Sequence, residues 1–429
     1  MFYLNIYYII LIYNISFIFS KLEITFKKRI QSNLNEDNIM SYLFINDLYT
    51  NIKIGNPNQE IPITIKLQNH PFYIISNKSN YTKSKIFNEK LSSSYNFIKT
   101  IPMFYAEEDM LESNLATETI KFNDNINIEQ LTFVLGTELN PYRNIYEGGS
   151  IGLKIHYDNY ESLKGINLIN NLKKINQINS YSFSLEFNKD DDLTLIIGNL
   201  PHEYNKKYSK ENLKMCNVIY NGVNPEWILK FDEIKYNEEY SRNAKDFWLY
   251  PELGVIISTS DFKDYMNKTF FQNYVSKKIC FQKLYSDHFV NYYYFYCKDS
   301  LNIENFGKLT LYHKDFNYTF EIEFKDLFYQ FKNYKYFLIL FPEHISVDWK
   351  LGLPFFRKYN LFVFDIDKKI IGIYNKYNSF TFSIWYILFI LLIVIIIIMG
   401  GVIYFLISKK QRKIRANELE ENFEYIPYK

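Results

Sequence analysis

A long apolar segment near the end of the chain sets the strongest limit on how this chain can fold. Residues 384–407 read IWYILFILLIVIIIIMGGVIYFLI, and no charged residue occurs between Lys376 and Lys409. At about 1.5 Å per residue, a helix of this length crosses a hydrocarbon core of about 30 Å. The basic run KKQRKIR that follows favours the cytosol under the positive-inside rule. We therefore predict a transmembrane helix over 384–407 and a cytosolic tail over 408–429.

The first twenty residues are also apolar. They read MFYLNIYYIILIYNISFIFS, carry no charge and end just before Lys21. This pattern predicts a signal peptide over 1–20, with the small residue Ser20 near a cleavage point. Because the segment lacks an N-terminal Lys or Arg, a retained signal anchor is the alternative. Together the two segments predict a single-pass type I membrane protein of the endomembrane system or plasma membrane, with a lumenal or extracellular ectodomain.

Charge and composition exclude several classes of protein. The chain has 49 Lys and Arg against 47 Asp and Glu, a net charge of +2. That excess belongs to the tail, so the ectodomain is neutral and gives no electrostatic case for nucleic-acid binding. Three Cys do not make a disulfide scaffold, and the six His show no metal-ligand spacing. We expect neither a metal nor a cofactor.

The ectodomain is patterned for β-structure. Runs of four to eight residues rich in Ile, Phe, Tyr, Val and Thr alternate with turn sequences such as Gly55-Asn56-Pro57 and Asn221-Gly222. Helical periodicity is confined to the neighbourhoods of 159–171 and 261–274. The pattern therefore predicts a mostly β fold of roughly two lobes.

A series of short motifs narrows the fold further. Ile54-Gly55-Asn56-Pro57-Asn58-Gln59 is followed without a gap by residues 72–76, FYIIS. Further blocks follow in order: 149–153, 182–185, 193–198, 227–232, 349–359, 363–365 and 371–373. Their order resembles the pepsin-like aspartic proteases (peptidase A1). The membrane span after the last block is similar to that of membrane-anchored members of this family, including a plasmepsin of malaria parasites.

The resemblance implies a bilobal pepsin-like acid protease fold with a C-terminal transmembrane helix. The ectodomain divides into an N-terminal segment, 21–45, an N-terminal lobe, 46–200, and a C-terminal lobe, 201–378.

Neither lobe retains the aspartate that the family uses. Two carboxylates, one from each lobe, must share a proton in that reaction. The ungapped match places Lys66-Leu67-Gln68 on the first Asp-Thr-Gly, and the best register for the second places Ser258-Thr259-Ser260 there. The resemblance therefore predicts a degenerate pair, Lys66 and Ser258.

The flap, a hairpin that covers the cleft in this family, is changed as well. Tyr105 matches the flap tyrosine, but Glu107, Glu108 and Asp109 replace its glycine-rich tip. Tyr73 of the FYIIS block is expected beside the cleft. These residues are candidates for contacts with a polypeptide ligand.

Three functions remain open at this point. The first is a pseudoprotease that binds a polypeptide or serves as a scaffold in the secretory pathway or at the cell surface. The second is an aspartic-type endopeptidase with divergent catalytic residues. The third is a hydrolase in which Lys66 activates Ser258, because a desolvated lysine can act as a base toward serine.

The cysteines and sequons fit an oxidising compartment. The family resemblance implies a disulfide between Cys280 and Cys297, and it leaves Cys216 as a buried free thiol. Four Asn-X-Ser/Thr sequons are possible glycosylation sites, at Asn77, Asn80, Asn267 and Asn317.

Overall fold

The structure of the chain is a computed structural model. The structure describes residues 21–69, 71–79, 84–101, 110–124, 126–139, 147–155, 166–221, 224–237, 240–287, 290–343, 348–374 and 384–423. They belong to two compact units, residues 1–374 and 375–429. The predicted signal peptide, residues 1–20, lies outside the described residues.

Strands make up most of the first unit. Their bounds are β1 Leu22–Lys28, β2 Leu48–Ile54, β3 Gln59–Lys66, β4 Phe72–Ile75, β5 Asn96–Ile101, β6 Met110–Asn123, β7 Ile126–Leu139, β8 Gly149–Gly152, β9 Ser182–Phe187, β10 Leu193–Ile197, β11 Leu213–Asn217, β12 Ile219–Asn221, β13 Asn224–Glu226, β14 Ile228–Tyr236, β15 Tyr240–Leu249, β16 Ile256–Ile257, β17 Cys280–Asp287, β18 Val290–Lys298, β19 Lys308–His313, β20 Tyr318–Glu323, β21 Phe328–Phe331, β22 Tyr334–Phe337, β23 Ile339–Pro342, β24 Trp349–Leu351, β25 Leu361–Asp365 and β26 Ile370–Tyr374.

The helices are few and mostly short. Their bounds are α1 Ile39–Phe44, α2 Leu168–Lys174, α3 Pro201–Tyr204, α4 Ser260–Met266, α5 Gln272–Ser276, α6 Phe324–Leu327, α7 Leu353–Lys358 and α8 Ile384–Phe423. A π-helical turn, Asn267–Phe271, joins α4 to α5. The helix predicted near 261–274 is confirmed. Of the one predicted near 159–171, only the last residues are described, and they begin α2.

The strands form two large sheets, one for each lobe. The first has 13 strands in the order β11-β26-β25-β9-β10-β1-β2-β3-β8-β4-β7-β6-β5, and the second has 11, including β14, β15, β16, β23 and β24. Strands β25 and β26 come from the end of the unit but join the first sheet, since β25 pairs with β9. The mostly β, bilobal pepsin-like fold is thereby confirmed.

Alternating burial explains why these segments are strands. In β1, Leu22, Ile24 and Phe26 are buried and the residues between them are exposed, and in β3 three buried isoleucines alternate with half-buried residues. A strand places successive side chains on opposite faces, so one face packs inward and the other faces solvent.

Aromatic packing fixes the junction between the lobes. The rings of Phe183 and Phe364 stack with centroids 4.7 Å apart. The fully buried Trp227 of the second lobe packs edge-on against both rings, at 5.8 Å and 4.9 Å. Such pairs add to the free energy gained from burial alone. This aromatic cluster therefore stabilises the junction between the lobes.

The N-terminal segment contacts both lobes. Its strand β1 pairs with β10 of the first lobe. Its helix α1 then buries Ile39, Met40, Leu43 and Phe44 in a cluster with second-lobe residues such as Val255 and Tyr292. The six-residue helix has no side-chain cap, so this packing is what stabilises it.

The second unit is described as one continuous helix, α8. It contains a candidate membrane span, Leu391–Arg415, and the most apolar 18 residues of this span have a mean hydropathy of 3.0. The helix continues past the predicted end at Ile407, through the basic cluster, to Phe423. One helix of membrane-span length and composition is thus present among the described residues.

Candidate functional site

Four strands in each lobe repeat the same pairing pattern. In the first lobe β3 runs parallel to β8, β8 antiparallel to β4, and β4 parallel to β7. In the second lobe β15 runs parallel to β24, β24 antiparallel to β16, and β16 parallel to β23. The two lobes can therefore be aligned strand by strand, without reference to any motif.

The register of the parallel pairs identifies equivalent residues. Ile65 of β3 lies opposite the apolar residue that precedes Gly-Leu at the end of β8. Leu249 of β15 lies opposite the apolar residue that precedes Gly-Leu at the end of β24. The residues that follow them, Lys66 and Tyr250, are therefore equivalent.

The antiparallel pairs give the same alignment. Strand β4 begins at Phe72, six residues after Lys66, and β16 begins at Ile256, six residues after Tyr250. Ser258 follows β16, so it corresponds to a residue of β4 and not to Lys66. The strand register thus supports Tyr250, rather than the Ser258 predicted from sequence, as the counterpart of Lys66.

Two side chains bond across the lobes directly behind these positions. Gln68 Nε2 donates to the carbonyls of Trp227 and Leu249 in the second lobe, each at 3.0 Å. Trp227 Nε1 donates to the carbonyl of Leu153 in the first lobe, at 2.8 Å. Because the donors and acceptors are buried, these bonds stabilise the junction between the lobes.

Glu252 completes the junction from the opposite side. It is the residue equivalent to Gln68. Burial raises the pKa of Glu252 to about 7, against the opposing effects of its own backbone N–H, the charge on Lys66, the backbone N–H of Leu67 and the charge on Lys350. Its Oε2 atom is buried and has no hydrogen-bond partner among the described residues.

A second lysine lies close to this carboxyl. Lys350 of β24 carries its Nζ 5.2 Å from the centroid of the Tyr250 ring. Burial lowers the pKa of Lys350, while Asp287, Glu252 and Asp348 act to raise it. Lys350 therefore lies near both the Tyr250 ring and the acidic residues Asp287, Glu252 and Asp348.

This arrangement differs chemically from a protease dyad. A proton-sharing pair needs two carboxylates in contact. The equivalent positions instead hold an ammonium group, Lys66, and a phenol, Tyr250. Both can donate hydrogen bonds to the carbonyls of a peptide, and the phenol can also accept one.

The other predicted site residues are distributed as follows. Tyr73 is in β4 and buried, with its backbone paired to Ser150 and Val134. Ser258 is fully buried, and its hydroxyl has no partner among the described residues. Tyr105, Glu107 and Glu108 of the predicted flap lie outside the described residues.

Sequence reasoning missed Tyr250 and Glu252. Neither residue type resembles the Asp-Thr-Gly motif, so no local signal marked them. The signal that could have located them is the six-residue spacing from the central position to the next strand, which is the same in both lobes. In the second lobe that strand is β16, and it is recognised only from its pairing.

The cysteines are placed as the family resemblance implied. Cys280 and Cys297 lie opposite each other in β17 and β18 and form a disulfide, as predicted. Cys216 of β11 is a buried free thiol, which confirms that prediction, and burial raises its pKa to about 12. Such a thiol is chemically inert. Among the described residues, no group of three or more His, Cys, Asp or Glu could hold a metal ion.

The two-lobed fold and its cross-lobe centre define a pepsin-like protein. The family model "Eukaryotic aspartyl protease" matches residues 47–376, well over half of the chain. The chain therefore belongs to the eukaryotic aspartyl protease family, and the predicted relationship is confirmed. No curated protein matches the chain.

Proposed function

We propose that this protein is a pseudoprotease: a membrane-anchored member of the family that binds a polypeptide in the cleft between its lobes and does not cleave it. The observation that carries the proposal is the strand register, which makes Lys66 and Tyr250 the equivalent central positions. Neither residue is an acid.

The chemistry of the centre supports the loss of activity. Pepsin-like hydrolysis needs one carboxylate as a base toward water and a second that holds a proton. Lys66 replaces an acid with a cation, and Tyr250 places a phenol where the second carboxyl would stand. Glu252 supplies one carboxyl, but no second carboxylate stands at either of the equivalent central positions.

The anchoring is part of the proposal. The candidate span in α8 follows the pepsin-like unit, and basic residues follow its apolar part. With the predicted signal peptide at 1–20, this order gives a type I protein with its cleft in a lumen or outside the cell. The partner is therefore a secreted or lumenal polypeptide, or the ectodomain of another membrane protein.

A peptide-library assay tests the proposal. The purified full-length chain in detergent is incubated with a random peptide library at pH 4 to 7, and bound and cleaved peptides are separated and identified by mass spectrometry. An active pepsin-like enzyme serves as the positive control. We expect peptides to be retained intact, and Lys66→Asp and Tyr250→Asp variants to change which peptides are retained. Cleavage by the wild-type chain, or the absence of any retained peptide, would overturn the proposal.

The second candidate is a divergent endopeptidase that uses Glu252. The specific observation in its favour is a carboxyl with a pKa of about 7 beside Lys66. Cleavage that is present in the wild type and lost in Glu252→Gln would establish this function. The Lys66–Ser258 hydrolase has less support, because Ser258 is fully buried and is not equivalent to Lys66.

A further inference from the structure

We propose that strand β17, Cys280–Asp287, pairs edge to edge with the same strand of a second copy of the chain, so that the second lobes of two copies share one antiparallel sheet. The inference concerns a surface of the second lobe away from the central residues Lys66 and Tyr250. It goes beyond the proposed function, because it does not depend on what the cleft binds.

Strand β17 is the longest edge strand that the structure describes in the two large sheets. It has eight residues and pairs only with β18, whereas the edge strands β5, β11, β20 and β21 have six, five, six and four. Its register with β18 is regular over all its pairs, while that of β5 is interrupted between Phe97 and Lys99. Short length and bulges protect an edge against pairing, and β17 has neither protection.

The even-numbered residues of β17 direct their backbone groups away from β18. Just before the strand, the N–H of Lys298 donates to the carbonyl of Ile279 at 2.8 Å, so the odd-numbered residues make the bonds to β18. The outward N–H and C=O groups have no backbone partner among the residues that the structure describes. The side chains of the same residues are exposed, so this edge is open to solvent at Gln282, Leu284 and Ser286.

A two-fold axis through Tyr285 makes this edge complementary to itself. In that register Tyr285 lies opposite Tyr285 of the second copy, Leu284 lies opposite Ser286, and Lys283 lies opposite Asp287. Since Leu284 and Ser286 both present outward groups, each Leu284–Ser286 pair exchanges both of its N–H···O=C bonds. The open backbone groups of the edge are thereby satisfied by an identical strand.

Opposite charges favour this register over its neighbours. Lys283 of each copy faces Asp287 of the other, and opposite charges that face each other across two strands are stabilising. An axis through Leu284 would instead place Lys283 opposite Tyr285 and separate the two charges. A lysine on an edge normally discourages pairing, and in this register it meets an acid.

Side chains on both faces of the strand also gain contacts. Leu284 is 51% exposed and would lie diagonally beside Leu284 of the second copy. Tyr285, whose ring lies 5.0 Å from that of Phe44, would face its own counterpart. Pairing occupies the edge of both copies, so the product is a closed dimer. The anchoring proposed above would hold the copies at one membrane surface and raise the effective concentration of one edge around another.

Site-specific cross-linking tests the dimer. The full-length Tyr285→Cys variant is reconstituted in phosphatidylcholine vesicles, oxidised with copper phenanthroline and analysed on a non-reducing gel. Facing cysteines in a non-hydrogen-bonded pair have Cα atoms about 4.5 Å apart, which suits a disulfide between the copies. The matched control is Gln282→Cys, whose two cysteines would lie about 20 Å apart in this register. We expect a disulfide-linked dimer in the first variant and its loss in the control. Equal cross-linking in both variants would overturn the proposal.

A charge reversal covers the case in which Tyr285→Cys does not fold. Dimerisation is measured in the same vesicles by energy transfer between full-length copies fused at the tail to donor and acceptor fluorescent proteins. Lys283→Asp places two acids opposite each other and should weaken dimerisation about tenfold. The double variant Lys283→Asp/Asp287→Lys restores opposite charges and should recover it, which a merely structural defect would not allow. No energy transfer in the wild type, or no recovery in the double variant, would contradict the proposed pairing.

Discussion

Gln68 in the first lobe and Glu252 in the second occupy equivalent positions, and Gln68 donates to the Trp227 and Leu249 carbonyls of the opposite lobe. The two residues lie two positions after Lys66 and Tyr250, where an active pepsin-like enzyme would carry its reacting groups. The lobes are consequently bonded to each other next to these two half-buried residues.

Replacing Gln68 should weaken the whole pepsin-like unit. In Gln68→Ala, the carbonyls of Trp227 and Leu249 each lose a buried donor. We expect a loss of about 2 kcal/mol in the free energy of unfolding, measured by urea denaturation of the full-length chain in detergent. The matched control is Gln59→Ala, whose side chain donates to the Asn88 carbonyl within the first lobe. An equal loss in both variants would argue against a special cross-lobe role.

Trp227 should be more sensitive than the other tryptophan of the same β-hairpin. Its indole N–H bonds to the Leu153 carbonyl, and its ring fills the junction between the lobes. Trp227→Phe should therefore cost about 2 kcal/mol, from the lost hydrogen bond and the cavity left behind. Trp248 is only half-buried and bonds to Asp348 at 3.3 Å, so Trp248→Phe should cost less than half as much. Equal costs in thermal or urea unfolding would contradict the packing described.

The disulfide should stabilise the second lobe. Cys280 and Cys297 close a loop of 17 residues and are both buried. Their double replacement by Ala should cost about 3 kcal/mol by the chain-entropy estimate. In the control Cys216→Ala the bridge is intact, so reductant should destabilise that variant as much as the wild type. Unfolding curves of the double variant, with and without reductant, should coincide.

Glycosylation offers a test of topology. Asn77 and Asn317 are exposed sequon residues, and Asn317 lies in the turn between β19 and β20. If the ectodomain is lumenal or extracellular, both should carry glycans after expression in a eukaryotic host. Glycosidase treatment should then shift the gel mobility, and Asn317→Gln should remove one step of that shift. A chain that reaches the membrane without any glycan would argue for the opposite orientation. Asn80 lies outside the described residues.

The sequence was sufficient to predict the fold, because the ordered blocks determine the pepsin-like resemblance. It predicts Lys66 as the first central position, since motifs flank that residue on both sides without a gap. The prediction of Ser258 as its counterpart departs from the strand register for a physical reason. Residues 255–257 are apolar and β-branched, so they satisfy the pattern of the strand that should precede the motif, and Ser258-Thr259-Ser260 follows as a plausible remnant.

Strand pairing resolves that ambiguity, because the strand before the motif must run parallel to the strand that carries Gly-Leu. Among the described strands of the second lobe, β15 alone does so, and it ends at Leu249. The pairing register of a short apolar strand cannot be determined until its neighbouring strands are known. The same holds for helix α1, whose six residues are stabilised by tertiary packing that no local signal predicts. The burial of Glu252 is likewise a property of the assembled junction.

The buried ion pair between Lys154 and Glu226 at the junction should make a contribution to stability that depends on pH. Lys154 of the first lobe bonds to Glu226 of the second, Nζ to Oε1 at 3.0 Å, and both side chains are largely buried. Burial raises the pKa of Glu226, and Lys154 opposes this effect. In Lys154→Met the carboxylate has lost its partner, so its pKa in the folded chain should rise further and the variant should lose about 3 kcal/mol at pH 7.

This loss should shrink as the pH falls, because a protonated Glu226 no longer needs a counter-charge. The sign follows from linkage: a carboxyl with a raised folded-state pKa destabilises the fold only above its unfolded pKa. Urea denaturation of the full-length chain at pH 4 and pH 7 measures the difference. The double variant Lys154→Met/Glu226→Gln should recover most of the loss at pH 7, and the exposed-pair control Lys235→Met should lose less than about 0.5 kcal/mol. A loss in Lys154→Met that is the same at both pH values would mean that its methylene packing, rather than its charge, stabilises the junction.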